Sequence, residues 1–240
     1  MRPSHFNKAM GAGAALAVVV LGGMLISAPR GSAQNRGNDS GDSQNDDESK
    51  IQKGFAIAPV HLNLQGKNRA LVGLGSYIVN AQGDCNGCHS AGPPSEFVFG
   101  GVPYFGQHPT KINPAVYLGG GNDFGTLDDN GVSAHIISRN LTPDKTGRPE
   151  GGNTFEQFVQ IIRHGTDFDH WHPTCTGALG PHCVPPPFDG RLLQIMPWPI
   201  YSNMDDHDLG AIYEYLSAIP CLEGDPGNPA GADTHGHRCK

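Results

Sequence analysis

Hydrophobic and polar positions along this chain of 240 residues repeat with helical spacing in three places. Leu71, Leu74 and Ile78 recur at steps of three and four, which puts them on one face, with Tyr77 beside them. Gly73 and Gly75 leave bare backbone in that helix, so a neighbour can approach closely. The second stretch opens with Thr154-x-x-Gln157, a capping-box pattern, and its apolar positions Phe155, Phe158, Val159 and Ile162 run up to a stop at Gly165. The third begins with Asp205, Asp206 and Asp208, which favour the positive end of a helix dipole. Leu209, Ile212, Tyr213 and Leu216 then form one stripe, and Pro220 ends it. The pattern predicts an all-α fold. The 34 glycines and 20 prolines are spread between and around these helices without repeating, which predicts long Gly/Pro-rich connections.

The N-terminal part has a different pattern. Arg2, His5 and Lys8 precede an apolar run over residues 9–26, and Gly31-Ser32-Ala33 supplies small residues for cleavage. Residues 1–33 therefore read as a signal peptide, with an uncleaved membrane anchor as the alternative for a run that is marginal in length and holds several glycines. Residues 34–53 are dominated by Asn, Asp, Gly, Ser and Gln, with almost nothing to bury, and predict a disordered polar linker. Residues 54–240 suit one domain. Removing residues 1–33, whose charges are Arg2, Lys8 and Arg30 alone, carries the formal charge from -7 to -10. An acidic exported protein argues against nucleic-acid binding and favours neutral or basic docking partners.

The chemistry is concentrated in Cys85-Asn86-Gly87-Cys88-His89. Cysteines three apart lie on one side of a helical turn, where their sulfurs can reach both vinyl groups of one porphyrin, and the histidine that follows can face the iron. Cys-x-x-Cys-His is the attachment pattern of a c-type haem. The pattern occurs once, so one covalent haem c is expected, with His89 as an axial ligand. The large apolar ligand would then serve as much of the core of a loop-rich domain.

The opposite axial position calls for Met or a second His. Met1, Met10 and Met24 fall in the export segment, which leaves Met196 and Met204. Met196 stands in Gln194-Ile195-Met196-Pro197-Trp198-Pro199, where the two prolines oppose a helix and stiffen an extended loop, so Met196 is the expected ligand. Met204 is the alternative beside the last helix, and His164, His170 and His172 remain in the middle of the chain. Ligation by His and Met raises the reduction potential and closes both faces of the iron, which favours electron transfer over chemistry at the metal. A haem enzyme or gas sensor with a displaceable axial ligand is the alternative function. A purely structural haem is a third.

Cys175, Cys183, Cys221 and Cys239 remain, and four cysteines allow three pairings. An oxidising compartment favours disulfides, and nearest-neighbour pairing closes one short loop while pinning the C-terminal tail to the last helix. A zinc site from His170, His172, Cys175 and Cys183 is the competing arrangement, and His235 with His237 a weaker one. Trp198 and Tyr201 are candidates to edge the haem pocket or bond a propionate, and Arg139 to neutralise one.

The order of a helix with Gly75 and Tyr77, then Cys85-x-x-Cys88-His89, a Met loop, and a helix with Tyr213, Tyr215 and Leu216 resembles a class I cytochrome c. More narrowly, Asn140-Leu141-Thr142-Pro143-Asp144-x-Thr146-Gly147, the Phe155 helix with Arg163-x-Gly165, and Met196-Pro197-Trp198-Pro199-x-Tyr201 resemble the cytochrome c subunits of bacterial periplasmic dehydrogenases. Asp208-Leu209-x-Ala211-Ile212-Tyr213-x-Tyr215-Leu216 fits the same group, and the likeness spans about residues 70–220. Those subunits often carry three haem domains, whereas this chain has one attachment motif. The resemblance implies a periplasmic electron carrier rather than an enzyme. A dehydrogenase would be its electron donor and an oxidase or another cytochrome its acceptor, with membrane contact only if the N-terminal segment is retained.

Overall fold

A computed structural model describes residues 40–91, 95–223 and 239. The expected signal peptide, the first part of the linker and the pair His235 and His237 lie outside the described residues. The helices are α1 (Ser40–Ile57), α2 (Arg69–Tyr77), α3 (Cys85–Cys88), α4 (Pro149–Gly152), α5 (Phe155–His164), α6 (Trp198–Tyr201) and α7 (Asp206–Leu216). None of the described helices is long and apolar enough to cross a membrane.

The core is built on α2, which α1 and α7 flank. Gly73 and Gly75 are two positions apart, about 200° around a helix, so each serves a different neighbour. A Cβ on Gly75 would lie 1.9 Å from the Ala211 carbonyl oxygen of α7, and one on Gly54 of α1 would lie 1.9 Å from the Gly73 carbonyl oxygen. Both crossings therefore require bare backbone. Val72, outside the predicted stripe, is wholly buried because α2 is covered on both sides, whereas Leu71 is only half-buried.

The linker expected over 34–53 is thus corrected from Ser40 onward. Ile51 and Phe55 give the polar segment enough apolar surface to dock on the core, and the Arg69 guanidinium stacks 4.4 Å from the Phe55 ring centroid. The all-α expectation also needs amendment. Asp123–Thr126 (β1) and His135–Ile137 (β2) form a small antiparallel ribbon, with Asp123 opposite Ile137 and Thr126 opposite His135.

A chain of buried hydrogen bonds ties these layers together. Ser76 donates to the Gly54 carbonyl at 2.7 Å, Asn80 donates to Ser76 and Tyr215, and the Tyr117 hydroxyl lies 2.6 Å from Asn80 Oδ1 and 2.7 Å from the Tyr215 hydroxyl. Each member sits among apolar side chains, where an unpaired polar group would be costly.

Both predicted ends of α5 and the predicted start of α7 match their caps, whereas α7 stops at Leu216, short of Pro220. Thr154 Oγ1 accepts the Gln157 N–H while the Gln157 side chain accepts the Thr154 N–H, and Gly165 closes α5 in the left-handed region. Asp205 accepts the Asp208 N–H at the start of α7. The prolines after Met196 do not exclude a helix, however. Pro199 falls within the first turn of α6, where a missing N–H costs nothing.

Candidate haem centre

α2 runs directly into a π-helical turn, Ile78–Gln82, and Asp84 then takes a left-handed conformation (φ 46°) that starts the single turn α3. Between the two cysteines, the Asp84 carboxylate lies over Gly87, 2.8 Å from where a Cβ would stand. Buried Asn86 points away from the cavity. Its carbonyl accepts the Leu118 N–H at 3.0 Å and its amide donates to Glu96 at 3.4 Å, which anchors the turn to two separate loops.

His89 is held at three points. Its N–H donates to the Cys85 carbonyl at 2.8 Å, its carbonyl accepts the Gly120 N–H at 2.8 Å, and Nδ1 lies 2.7 Å from the Arg139 carbonyl oxygen. A carbonyl can only accept, so Nδ1 carries the proton and Nε2 keeps its lone pair. Burial pushes the imidazole pKa down, against the raising effect of that hydrogen bond. The ring is thus a neutral, oriented nitrogen donor of the kind a metal ligand requires, with its tautomer set by the outer partner.

Cys85, Cys88, His89, Met196, Met204 and Tyr201 line one cavity of about 640 Å³, which also takes Ile78, Phe158, Ile162, Ile212 and Leu216 as apolar wall. The cavity therefore brings together every residue predicted to hold the haem, and Met204 as well. Met196 is hung from the end of α5: the Leu193 N–H bonds the Gly165 carbonyl at 2.8 Å, and Trp198 donates to the Leu193 carbonyl at 3.0 Å. Gly165 allows this, because a Cβ there would lie 2.4 Å from the Trp198 ring. Met204 sits at the foot of α7, with its carbonyl bonded to the Arg163 guanidinium.

Both motif cysteines are free thiols. Burial, and then the charge of Asp84, push the Cys85 thiol up to about 12 and raise Cys88 as well. The other four cysteines form the disulfides Cys175–Cys183 and Cys221–Cys239. This removes the thiolates from the zinc arrangement with His170 and His172. Of the mid-chain histidines, His172 lines the cavity, whereas His164 and His170 are exposed.

Tyr201 and Arg139 stand on the cavity wall, and the polar groups of Trp198, Tyr201 and Arg139 all have protein partners. Trp198 donates to Leu193, and the Tyr201 hydroxyl donates to the Gly83 carbonyl at 3.0 Å. Arg139 is clamped by Asp167 at 2.6 Å and Asp169 at 2.7 Å, and stacks 4.9 Å from the Trp171 ring centroid. Its side chain fixes the backbone whose carbonyl orients His89. Sequence reasoning missed this clamp, and also Glu150, which lines the cavity. No spacing rule connects position 139 to 167 and 169, so nothing in the sequence signals it.

An apolar cavity with a neutral imidazole donor, two adjacent thiols and a thioether on its wall fits a c-type haem. No protein-family model matches the chain, and no solved structure matches it. Among known proteins, it is 30% identical over 149 residues to the gluconate 2-dehydrogenase cytochrome c subunit of Pantoea cypripedii, covering 62% of this chain and 23% of the relative. It is 27% identical over 147 residues to the cytochrome c subunits of the quinone alcohol dehydrogenases of Gluconacetobacter polyoxogenes and Komagataeibacter europaeus, covering 61% of this chain and 21% of each relative. The chain thus spans less than a quarter of the length of these relatives. The resemblance to cytochrome c subunits of dehydrogenases holds over about three-fifths of the chain, and the architecture is helix-rich with few strands.

Proposed function

We propose that this protein is a periplasmic one-electron carrier with a single haem c joined through Cys85 and Cys88 and held axially by His89 and Met196. The observation that carries the reading is the His89 imidazole, locked by the Arg139 carbonyl with Nε2 unprotonated, lining the same cavity as both thiols and Met196. A haem bound here supplies a one-electron iron couple, whose potential is raised by thioether ligation.

The chain's own residues do the rest. Neutral Cys85 and Cys88 present thiols for thioether formation at the cavity edge. Asn86 holds that turn in place, and apolar side chains from the π-helical turn after α2, from α5 and from α7 would shield the group from water. With His89 and Met196 both holding the iron, the protein would act as a carrier, receiving electrons from a dehydrogenase and handing them to an oxidase or another cytochrome. The names of the relatives support a dehydrogenase as donor.

Met196→Ala and Met204→Ala in the purified holoprotein test the ligand set. Met196→Ala is expected to lower the midpoint potential and abolish the weak sulfur-to-iron band at the red end of the oxidised spectrum. Met204→Ala should leave both nearly unchanged. The reverse result moves the ligand to Met204. Rapid carbon monoxide binding by most of the reduced native protein would overturn the closed six-coordinate centre.

A further inference from the structure

Glu150 is a carboxylate on the wall of the cavity, outside the set of residues proposed to hold the haem. It stands in α4, the single turn after Pro149, with a left-handed backbone (φ 50°, ψ 49°) that a non-glycine residue rarely adopts. That conformation puts its side chain on the wall of the haem cavity. Its Oε2 is sealed from solvent and has no hydrogen-bond partner among the described residues. A buried carboxylate oxygen left in this way is costly as an anion and much less so as an acid. The Arg139 guanidinium, a cation acting on it, is already shared between Asp167 and Asp169.

We propose that Glu150 is the proton partner of the transferred electron: its carboxyl takes up a proton when an electron enters the cavity and releases it when the electron leaves. The inference rests on the proposed haem function and extends it. The balance is one electron from the reduced redox cofactor of a partner protein and one proton from solvent, giving a ferrous centre and neutral Glu150. Reoxidation returns both. The sign follows from charge. Anionic Glu150 favours the more positive oxidised centre, and electron arrival removes that attraction, so the carboxyl protonates more readily.

The surroundings set the window. Burial raises the Glu150 pKa to about 7. Arg139 from the segment after β2 and the Asn153 amide on its own side oppose the rise, while Asp169 and then Asp167 from the loop after α5 reinforce it. His172 on the same loop is kept neutral by its own burial.

Spectroelectrochemical titration of the full-length holoprotein between pH 5 and 9 tests this. The midpoint potential of the wild type is expected to fall as pH rises, with a slope approaching about 59 mV per tenfold change in proton concentration near neutrality. Glu150→Gln should remove most of that slope. A reduced-minus-oxidised infrared spectrum should show a protonated-carboxyl band gained on reduction in the wild type and missing in the variant. A wild-type slope in Glu150→Gln, or a wild-type spectrum without the band, overturns the inference.

If Glu150→Gln does not fold, Asp169→Asn decides. Removing that negative charge should move the centre of the slope to lower pH, and an unmoved centre sinks the idea. A colourless protein, or one without the spectrum of haem c in alkaline pyridine, overturns the carrier function and this inference with it. A haem protein whose slope ignores Glu150 overturns the inference alone.

Discussion

At the residue scale the site depends on side chains whose polar atoms are committed away from the cavity. Tyr201 and Trp198 spend their hydrogen bonds on backbone carbonyls, Asn86 on the Leu118 N–H and the Glu96 carboxylate, and Arg139 spends its guanidinium on two carboxylates. Asp167 and Asp169 on the cavity wall are paired with Arg139. Glu150 Oε2 has no such partner among the described residues, and its cost is measurable without reference to potential. Its folded pKa, near 7, stands above the ordinary 4.5. Its contribution to stability is therefore complete below about pH 4.5 and is lost as pH rises through about 7. Urea unfolding should show the wild type losing on the order of 2 kcal/mol between pH 5 and 8 relative to Glu150→Gln. Equal pH profiles for the two proteins would remove the buried-acid description.

At the element scale two glycines on α2 decide what packs where. Gly75→Ala drives a methyl into the Ala211 carbonyl oxygen, so α7 must move. A loss of about 3 kcal/mol is expected from denaturant midpoints. Gly210 gives the contrast within α7 itself, because a Cβ there meets nothing within 4 Å. Gly210→Ala should stabilise the protein by up to about 1 kcal/mol, the helix-propensity difference alone. If both substitutions are neutral, the close crossing is not what holds α7 against α2.

At the scale of the whole molecule, long irregular segments complete the cavity that the helices begin. Residues 166–190 return Asp167, Asp169, Trp171 and His172 to its wall, and Cys175–Cys183 closes a loop in that stretch. The strand-like bridge between Thr174 and Val184 lies just outside the disulfide. Replacing both cysteines by serine should cost about 2–3 kcal/mol, from loop-closure entropy over eight residues of separation. Because Asp167 and Asp169 lie close to this loop, the same variant is expected to broaden the pH dependence of the potential more than a surface substitution does. The second disulfide, Cys221–Cys239, works with the bonds from Asn140 to the Leu222 carbonyl and from the Leu222 N–H to Thr142, tying the chain beyond α7 to the segment before α4.

Local signals were enough for much of this protein. The capping box at Thr154, the stop at Gly165 and the acidic start of α7 are readable because caps and helix dipoles act within one turn. The attachment motif is equally local, since two thiols and an imidazole must share one turn to meet one porphyrin. The helical state of 40–57 was not legible, because Ile51 and Phe55 matter only once Gly73 offers a bare surface to receive them. Nor was the clamp on Arg139, the orientation it gives His89, or the presence of Glu150 in the cavity. Those depend on chain segments dozens of residues apart meeting at hydrogen-bond distance, and burial, which sets the charge of each group there, exists only after the chain has closed around the site.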